Sequence, residues 1–382
     1  MRLVKLCVRY LVLCRKDDEL VSRMIKISML NKTAAMTVFG MAMLAGTAMA
    51  SDAGAAPASG DNYLLGHIDA DADQFITLTD ENDKWGGNSD RHYTNGTALN
   101  YTVIKPQAPE LIEKLGSALP FLDVGGPTAL SFSFGQNMFT PDHAELVQPQ
   151  IGDMPYSGFL YGKAGFTTYQ QDHTDSYDLT AGVIGPAAGG KFAQRLLHDT
   201  LDLYKPNGWD YYHLKNEPIL NFGYLRRYPG AMVWNTTALG RDWFADVEPR
   251  YGFAAGNAYD FANVGGTLRF GPSSAQHADT PAMLVPGLPG SAYFGKSPDW
   301  FTWYGFLSLD GRGVLRNIFL DGNTFESSPH VEKIPFVAQG TAGVVVETGP
   351  VKTSFTLNQS TKEFESQPHT DVFGAINVGY RF

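Results

Sequence analysis

Two side chains four residues apart, Gln194 and His198, form the pair in this chain best suited to acid–base chemistry. They lie in residues 190–201, which after Gly190 contain good helix formers and neither Gly nor Pro. On a helix, such side chains project from the same side, one turn apart. Histidine can accept a proton near neutral pH, and glutamine can position a water molecule. The alternative is a surface helix whose His198 caps its own last turn.

A second candidate group lies in the polar block of residues 79–96, which is rich in oxygen-bearing side chains. Asp83 in this block could hold Ca²⁺, a hard cation that prefers oxygen ligands and that would polarise an ester carbonyl. The alternative is an ordinary turn, because Asn, Asp and Gly favour turns.

The elements that must position these groups are predicted to be strands. Large apolar residues alternate with small or polar ones in residues 130–134, 220–224, 351–358 and 372–382. This pattern, separated by turn residues, is typical of a transmembrane antiparallel β-barrel, although a soluble sandwich would show the same alternation. A secretion signal, cysteine-free strands rich in aromatic residues and the terminal Phe382 favour the barrel. We predict an all-β barrel of twelve to fourteen strands, an even number on closure.

The longest polar segments between strands are residues 136–157 and 186–217. Long loops of such barrels are extracellular, whereas the periplasmic turns are short. The predicted helix with Gln194 and His198 is therefore expected in an extracellular loop at the outer rim.

Residues 1–50 are expected to be a leader and signal peptide, with Met24 or Met29 as a more natural start. Residues 51–70 are expected to be a flexible mature N-terminus, and residues 71–382 to form the barrel.

Removal of the leader changes the composition of the chain. Both cysteines, Cys7 and Cys14, lie in the leader, so the mature chain has no disulfide and no cysteine metal site. The leader also carries eight basic and three acidic residues, so its removal changes the net charge from −10 to −15. Such an acidic surface argues against nucleic acid as a partner and would attract divalent cations.

Several motifs occur in the same order as in the lipid A 3′-O-deacylase family of outer-membrane enzymes, which this chain resembles from about residue 70 to its end. Each motif alone is weak, and the ordered set is specific. The motifs are Glu-Asn-Asp (81–83) with Ser-Asp-Arg-His-Tyr-Thr-Asn-Gly (89–96), Gly-Gln-Asn-Met-Phe-Thr-Pro (135–141), Pro-Tyr-Ser-Gly (155–158), Gly-Val-Ile-Gly-Pro (182–186), Gln194 with His198, Gly-Trp-Asp (208–210), Asn-Glu-Pro (216–218), and Phe-Gly (373–374) with Tyr-Arg-Phe (380–382).

The resemblance implies a twelve-stranded barrel that removes the 3′-linked acyloxyacyl group from lipid A of lipopolysaccharide. It implies a site between the barrel wall and the helix, with calcium and a histidine-activated water. Carried over by motif, His198 is the base, Gln194 is its neighbour, Asn82 and Asp83 form the calcium side, and Thr94 is a further catalytic candidate. The family also uses an acid a few residues beyond the histidine, and residues 199–204 do not identify it. We expect a monomer in the bacterial outer membrane, with lipid A of the outer leaflet as partner and assembly through Phe382 by the barrel-assembly machinery.

Two alternatives belong to other classes. One is a passive pore or structural barrel without catalysis. The other is a serine-dependent outer-membrane phospholipase, although no Gly-x-Ser-x-Gly elbow occurs and no serine adjoins His198 in the sequence.

Overall fold

The computed structural model describes residues 74–87, 91–118, 124–201, 204–276 and 297–382. The predicted leader and the predicted flexible segment, residues 1–50 and 51–70, lie outside the described residues. Within those described ranges, no helix has the length and apolar character needed to cross a membrane. The α-helices are α1 (Glu110–Ala118), α2 (Gly190–Leu201) and α3 (Ile318–Asp321). The strands are β1 (Gln74–Asn82), β2 (His92–Lys105), β3 (Thr128–Thr140), β4 (Ser157–Tyr169), β5 (Thr174–Ile184), β6 (Glu217–Arg227), β7 (Met232–Ala238), β8 (Arg241–Gly256), β9 (Tyr259–Pro272), β10 (Phe301–Asn317), β11 (Phe336–Thr348), β12 (Val351–Ser360) and β13 (Val372–Arg381).

The strands form one closed antiparallel sheet. β1 pairs with both β2 and β13, which joins the two ends of the chain. β8 pairs with β6 through residues 250–256 and with β7 through residues 241–247. β6 and β7 are therefore two halves of one wall strand, interrupted at residues 228–231. The wall has twelve strand positions, which confirms the predicted all-β barrel of about twelve strands.

Successive strands alternate in direction, so the connections divide between two rims. We call helix rim the end that carries the connections β1–β2, β3–β4, β5–β6, β8–β9, β10–β11 and β12–β13. The helices α2 and α3 lie at the helix rim, and α1 lies at the opposite rim. The predicted helix over residues 190–201 thus forms as expected, in the connection between β5 and β6.

The orientation of side chains distinguishes this barrel from a soluble sandwich. In β12, Phe355 and Leu357 face outward and are 38% and 41% exposed, whereas Thr356 and Asn358 face inward and are buried. A soluble sandwich buries the large apolar side chains instead. Apolar residues outside and polar residues inside are the arrangement of a barrel that meets lipid.

The barrel mouth at the helix rim is closed by two connections that fold inward. The ring of Phe319 on α3 stacks on Phe139 of β3 with centroids 3.9 Å apart. In the β12–β13 connection, Phe364 is fully buried and its ring lies edge-on to His92 at 5.2 Å. These contacts make an apolar plug at this end of the interior.

Below the plug, the interior is filled by paired charges. Arg269 donates from Nε to Asp246 at 2.9 Å, and both side chains are buried. Arg250 donates from Nε to Asp310 at 2.9 Å. Such buried charges need partners, because an unpaired charge away from water is costly. The interior is therefore a packed polar core.

Candidate active site

Helix α2 lies on the outer face of the barrel wall. On β3, Gln136 and Met138 point to the same outer side of the wall as Phe132 and Phe134, which are exposed. Gln136 donates from Nε2 to the carbonyl oxygen of Ala188, just before α2. Met138 packs in one cluster with Tyr156 and Trp209, with Ala193 of α2 against it. The helix therefore covers the outer wall beside β3 and β4.

A close approach of backbones fixes the start of α2. A Cβ atom on Gly190 would lie 2.7 Å from Cη2 of Trp209 and 3.1 Å from Cα of Gly158. Gly189, in the preceding turn, has φ +74°, a left-handed conformation that favours glycine. Two glycines are needed here for different reasons, one for space and one for conformation.

His198 lies on the buried face of α2 and is 2% exposed. Its Nδ1 donates to the carbonyl oxygen of Tyr204 at 2.6 Å, and the Tyr204 ring lies edge-on at 4.8 Å. Because a carbonyl oxygen only accepts, Nδ1 of the neutral ring carries the hydrogen. Nε2 is then the nitrogen that can accept a proton. The bonded carbonyl lies beyond the helix, so His198 does not cap its own last turn through this contact.

Gln194 lies one turn before His198 on the same buried face and is 1% exposed. Its Oε1 accepts a hydrogen bond from Nε1 of Trp209 at 2.6 Å. The opposite face of α2 is exposed, with Phe192 and Leu196 at 73% and 56%. The shared side predicted from the four-residue spacing is thus the side that faces the wall.

Asn82 and Asp83 lie at the helix rim where β1 ends and a short 3-10 helix, Asp83–Trp85, begins. Asn82 caps this helix, since its Oδ1 accepts from the backbone N–H of Lys84 at 2.8 Å. Asp83 is buried, and its Oδ2 accepts from the N–H of Arg91 at 2.7 Å. The two residues do form a turn, as the simpler interpretation holds, but the turn buries a carboxylate.

Thr94 lies between these two groups on the wall. The β2–β3 register shifts between Tyr93 and Asn95, so Thr94 is the extra residue of a β-bulge. Its hydroxyl is hydrogen bonded to that of Thr140 on β3 at 2.7 Å. Bulges re-aim side chains beside active sites in many proteins.

The order of strands relates the three groups. Asn82 and Asp83 follow β1, Thr94 lies on β2 and α2 covers β3 and β4. Three strand spacings of about 4.8 Å separate β1 from β4, so the candidate residues extend over roughly 14 Å of one rim. The structure therefore gathers them on neighbouring strands; direct contact between Asn82–Asp83 and α2 is not among the described interactions.

The acidic residue that the family resemblance implies a few residues after His198 remains unassigned. Asp199 is exposed, on the side of α2 away from the buried His198. Residues 202–203, which include Asp202, lie outside the described residues. In the described part of the chain, no group of three or more His, Cys, Asp and Glu side chains is arranged to hold a metal ion.

An ionic cluster that the sequence does not predict lies under the plug. The ring of His92 is hydrogen bonded to Asp371 at 2.6 Å and to Asp153 at 3.1 Å. Burial alone would raise the pKa of Asp153, but the hydrogen bond and charge of His92 outweigh it and lower the pKa. The cluster ties the β3–β4 and β12–β13 connections to β2. No sequence pattern joins residues so far apart in the chain.

A neighbouring carboxyl group behaves in the opposite way. Glu363, in the β12–β13 connection, is deeply buried, and burial raises its pKa despite the nearby Arg312. Arg312 lies 3.4 Å from its Oε1. Both residues, with His92 and Asp371, line a cavity of about 50 Å³ inside the barrel mouth. This cavity is on the inner side of the wall, away from α2.

Trp209, in the Gly-Trp-Asp motif that follows the helix, is a further contact of α2. The structure places Trp209 in contact with the wall and bonds it to Gln194. Its neighbour Asp210 accepts from Lys191 of α2 at 2.5 Å, a hydrogen bond that lowers the pKa of this carboxyl.

Comparison with known proteins identifies the family. A family model described as outer membrane protein LpxR matches residues 37–382. No curated protein sequence matches the chain. LpxR from Salmonella typhimurium is similar in structure, with a TM-score of 0.64 and 20% identity over 81% of this chain and 100% of that chain. The translocator domain of the autotransporter NalP from Neisseria meningitidis reaches a TM-score of only 0.36 at 11% identity, over 92% of this chain and 97% of that chain, which carries no argument.

The family match covers far more than half of the chain, and the Salmonella structure shares its fold. Both agree with the ordered motifs, and the predicted resemblance is confirmed. The chain belongs to the LpxR family of outer membrane proteins, and it is a β-barrel of the bacterial outer membrane.

Proposed function

We propose that this protein is a calcium-dependent hydrolase that removes the 3′-linked acyloxyacyl group from lipid A by a histidine-activated water. Family membership supports the substrate class. The observation that carries the chemistry is the 2.6 Å hydrogen bond from Nδ1 of His198 to the Tyr204 carbonyl, because it makes Nε2 the basic nitrogen.

In the proposed reaction, His198 acts first as a base and then as an acid. Nε2 of His198 takes a proton from water, and the water oxygen adds to the ester carbonyl. The tetrahedral intermediate collapses and breaks the bond between the acyl carbon and the 3′ oxygen. The same imidazolium returns its proton to the leaving 3′ oxygen, which releases a carboxylic acid and a free hydroxyl group. The Tyr204 carbonyl stabilises the imidazolium, since it accepts from Nδ1 throughout.

Calcium fits the oxygen donors at the end of β1. Asp83 supplies a buried carboxylate, and Asn82 supplies an amide oxygen that retains a second lone pair beside its bond to Lys84. When bound there, the ion would polarise the ester carbonyl. Thr94 and Thr140 border the same surface of the wall and would contact the substrate between the ion and α2.

The surface around the site suits a lipid. Phe192 and Leu196 on α2 are exposed apolar side chains at the helix rim, and Phe132 and Phe134 are exposed further along the outer face of β3. Acyl chains of an outer-leaflet lipid could lie against them, which would place this rim on the extracellular side. We further propose that the protein acts as a monomer and is assembled through Phe382 by the barrel-assembly machinery.

Two alternatives receive less support. A pore requires an open interior, yet the plug and the buried ion pairs fill much of the described interior. A serine nucleophile would have to lie near α2, on the outer face of the wall. Ser157, at the start of β4, points inward like Phe159 and Tyr161, so its hydroxyl group faces away from α2.

The direct test is mass spectrometry of lipid A from cells with and without this protein. We expect the loss of the 3′ acyloxyacyl mass only when the protein is present. Unchanged lipid A, with the barrel folded in the outer membrane and calcium supplied, would contradict the proposed function.

A further inference from the structure

The side-chain amide of Gln194 is held in one orientation. An indole N–H can only donate, so the atom that faces Nε1 of Trp209 at 2.6 Å must be the amide oxygen of Gln194. The NH₂ group then points away from Trp209. Gln194 is 1% exposed, and its Nε2 finds no hydrogen-bond partner within the described residues. A buried amide nitrogen without a partner is costly and needs a reason.

Trp209 is also held by contacts outside α2. Its ring is 5% exposed and lies 5.0 Å from the ring of Tyr156. Tyr156 in turn donates from its hydroxyl group to the carbonyl oxygen of Ala144 at 2.9 Å. The backbone of Tyr156 is hydrogen bonded at both its N–H and its carbonyl, to Tyr212 and Leu214. The indole N–H therefore reaches Gln194 from a ring that packs on a hydrogen-bonded residue outside α2.

We infer that Trp209 is a positioning residue, which occupies the acceptor of Gln194 and so presents the amide NH₂ group to the reacting ester. This inference rests on the proposed function. With its oxygen occupied, Gln194 can donate a hydrogen bond to the carbonyl oxygen on which negative charge develops. It then does not accept one from the attacking water. Gln194 thus donates a hydrogen bond to the carbonyl oxygen, and His198 acts as the base for the water.

The first experiment measures deacylation kinetics of purified Trp209→Phe with lipid A in detergent micelles. Phenylalanine keeps most of the ring and removes the N–H. We expect kcat to fall roughly tenfold while KM changes by less than about twofold, because the lost bond orients a group that acts in the transition state. Trp243→Phe is the matched control, since its Nε1 donates to the carbonyl oxygen of Ala238 at the opposite rim. It should keep wild-type kinetics.

A double-mutant cycle separates positioning from support of the fold. In a Gln194→Ala background, Trp209→Phe should cause no further loss, since the group that it orients is already gone. Equal losses in both backgrounds would overturn the inference. Gln194→Glu can still accept from Trp209 but cannot donate from the other atom, so it should be as impaired as Gln194→Ala. A fully active Gln194→Glu would also overturn it.

A readout independent of activity distinguishes this inference from the proposed function. The indole proton of Trp209 can be assigned in ¹⁵N-tryptophan-labelled protein by its loss in Trp209→Phe. In Gln194→Ala, that resonance should shift upfield and exchange faster with solvent. An unchanged resonance would refute the bond even if deacylation is observed. A wild-type protein that shows the bond but no deacylation would refute the proposed function instead.

Discussion

Substitution of Gly190 by alanine tests whether the fit of α2 on the wall matters for the chemistry. The added Cβ would lie 2.7 Å from Trp209, whereas ordinary contacts begin at 3.4 Å, so the two groups must separate by about 0.7 Å. Alanine favours the helix by up to about 1 kcal/mol, and overpacking costs about 1–3 kcal/mol. The free energy of unfolding should therefore fall by roughly 0–2 kcal/mol.

Activity should fall much more than stability. A shift of about 0.7 Å exceeds the ~0.5 Å within which catalytic groups must be held, and a displacement of about 1 Å can cost roughly 100-fold in rate. We expect Gly190→Ala to lose about 10- to 100-fold in kcat while the barrel remains heat-modifiable on gels. Gly340→Ala is the control, because its added Cβ meets nothing within 4 Å. Wild-type kcat in Gly190→Ala would refute the view that contact with the wall positions α2.

Three further outcomes are expected. The lowered pKa of Asp153 means that its pairing with His92 stabilises the fold fully above the ordinary Asp pKa of about 3.9, and that this contribution is lost as the pH falls from there through the lowered pKa. Asp153→Asn should therefore lower the unfolding temperature more at pH 7 than at pH ~3, and an equal effect at both would contradict the assignment. Chelation should abolish deacylation, and excess calcium should partly rescue Asp83→Ala; full activity in chelator would remove the metal from the mechanism. Deletion of Phe382, whose ring stacks on Tyr380, should reduce the yield of folded barrel without blocking secretion, as quantified in outer-membrane fractions, where an unaltered yield would argue against this role.

The sequence predicted those features that depend on local pattern. Alternation in residues 351–358 indicates a strand, and its outward Phe355 and inward Thr356 follow from the same period. The helix of residues 190–201 follows from propensity, because its turns contain neither Gly nor Pro after the first residue. The four-residue spacing also placed Gln194 and His198 on one face.

Features that depend on distant residues could not be predicted in this way. The bond between Trp209 and Gln194 needs the β5–β6 connection to fold back onto the wall. The pairing of His92 with Asp371 needs the barrel to close between β1 and β13. The division of one wall strand into β6 and β7, at residues 228–231, is defined only by the pairing of both segments with β8. Each of these depends on tertiary closure, which local spacing does not encode.

The most direct measurement of the central claim is the rate of lipid A deacylation by His198→Asn. Asparagine retains a donor for the Tyr204 carbonyl but has no group that can act as a base near neutral pH. His143→Ala is the control, because His143 is an exposed histidine in a connection of the same rim and pairs only with Glu145 among the ion pairs described. We predict a loss of about 10²- to 10⁴-fold for His198→Asn in a folded barrel and none for the control. Near-wild-type deacylation by His198→Asn would contradict water activation by this helix.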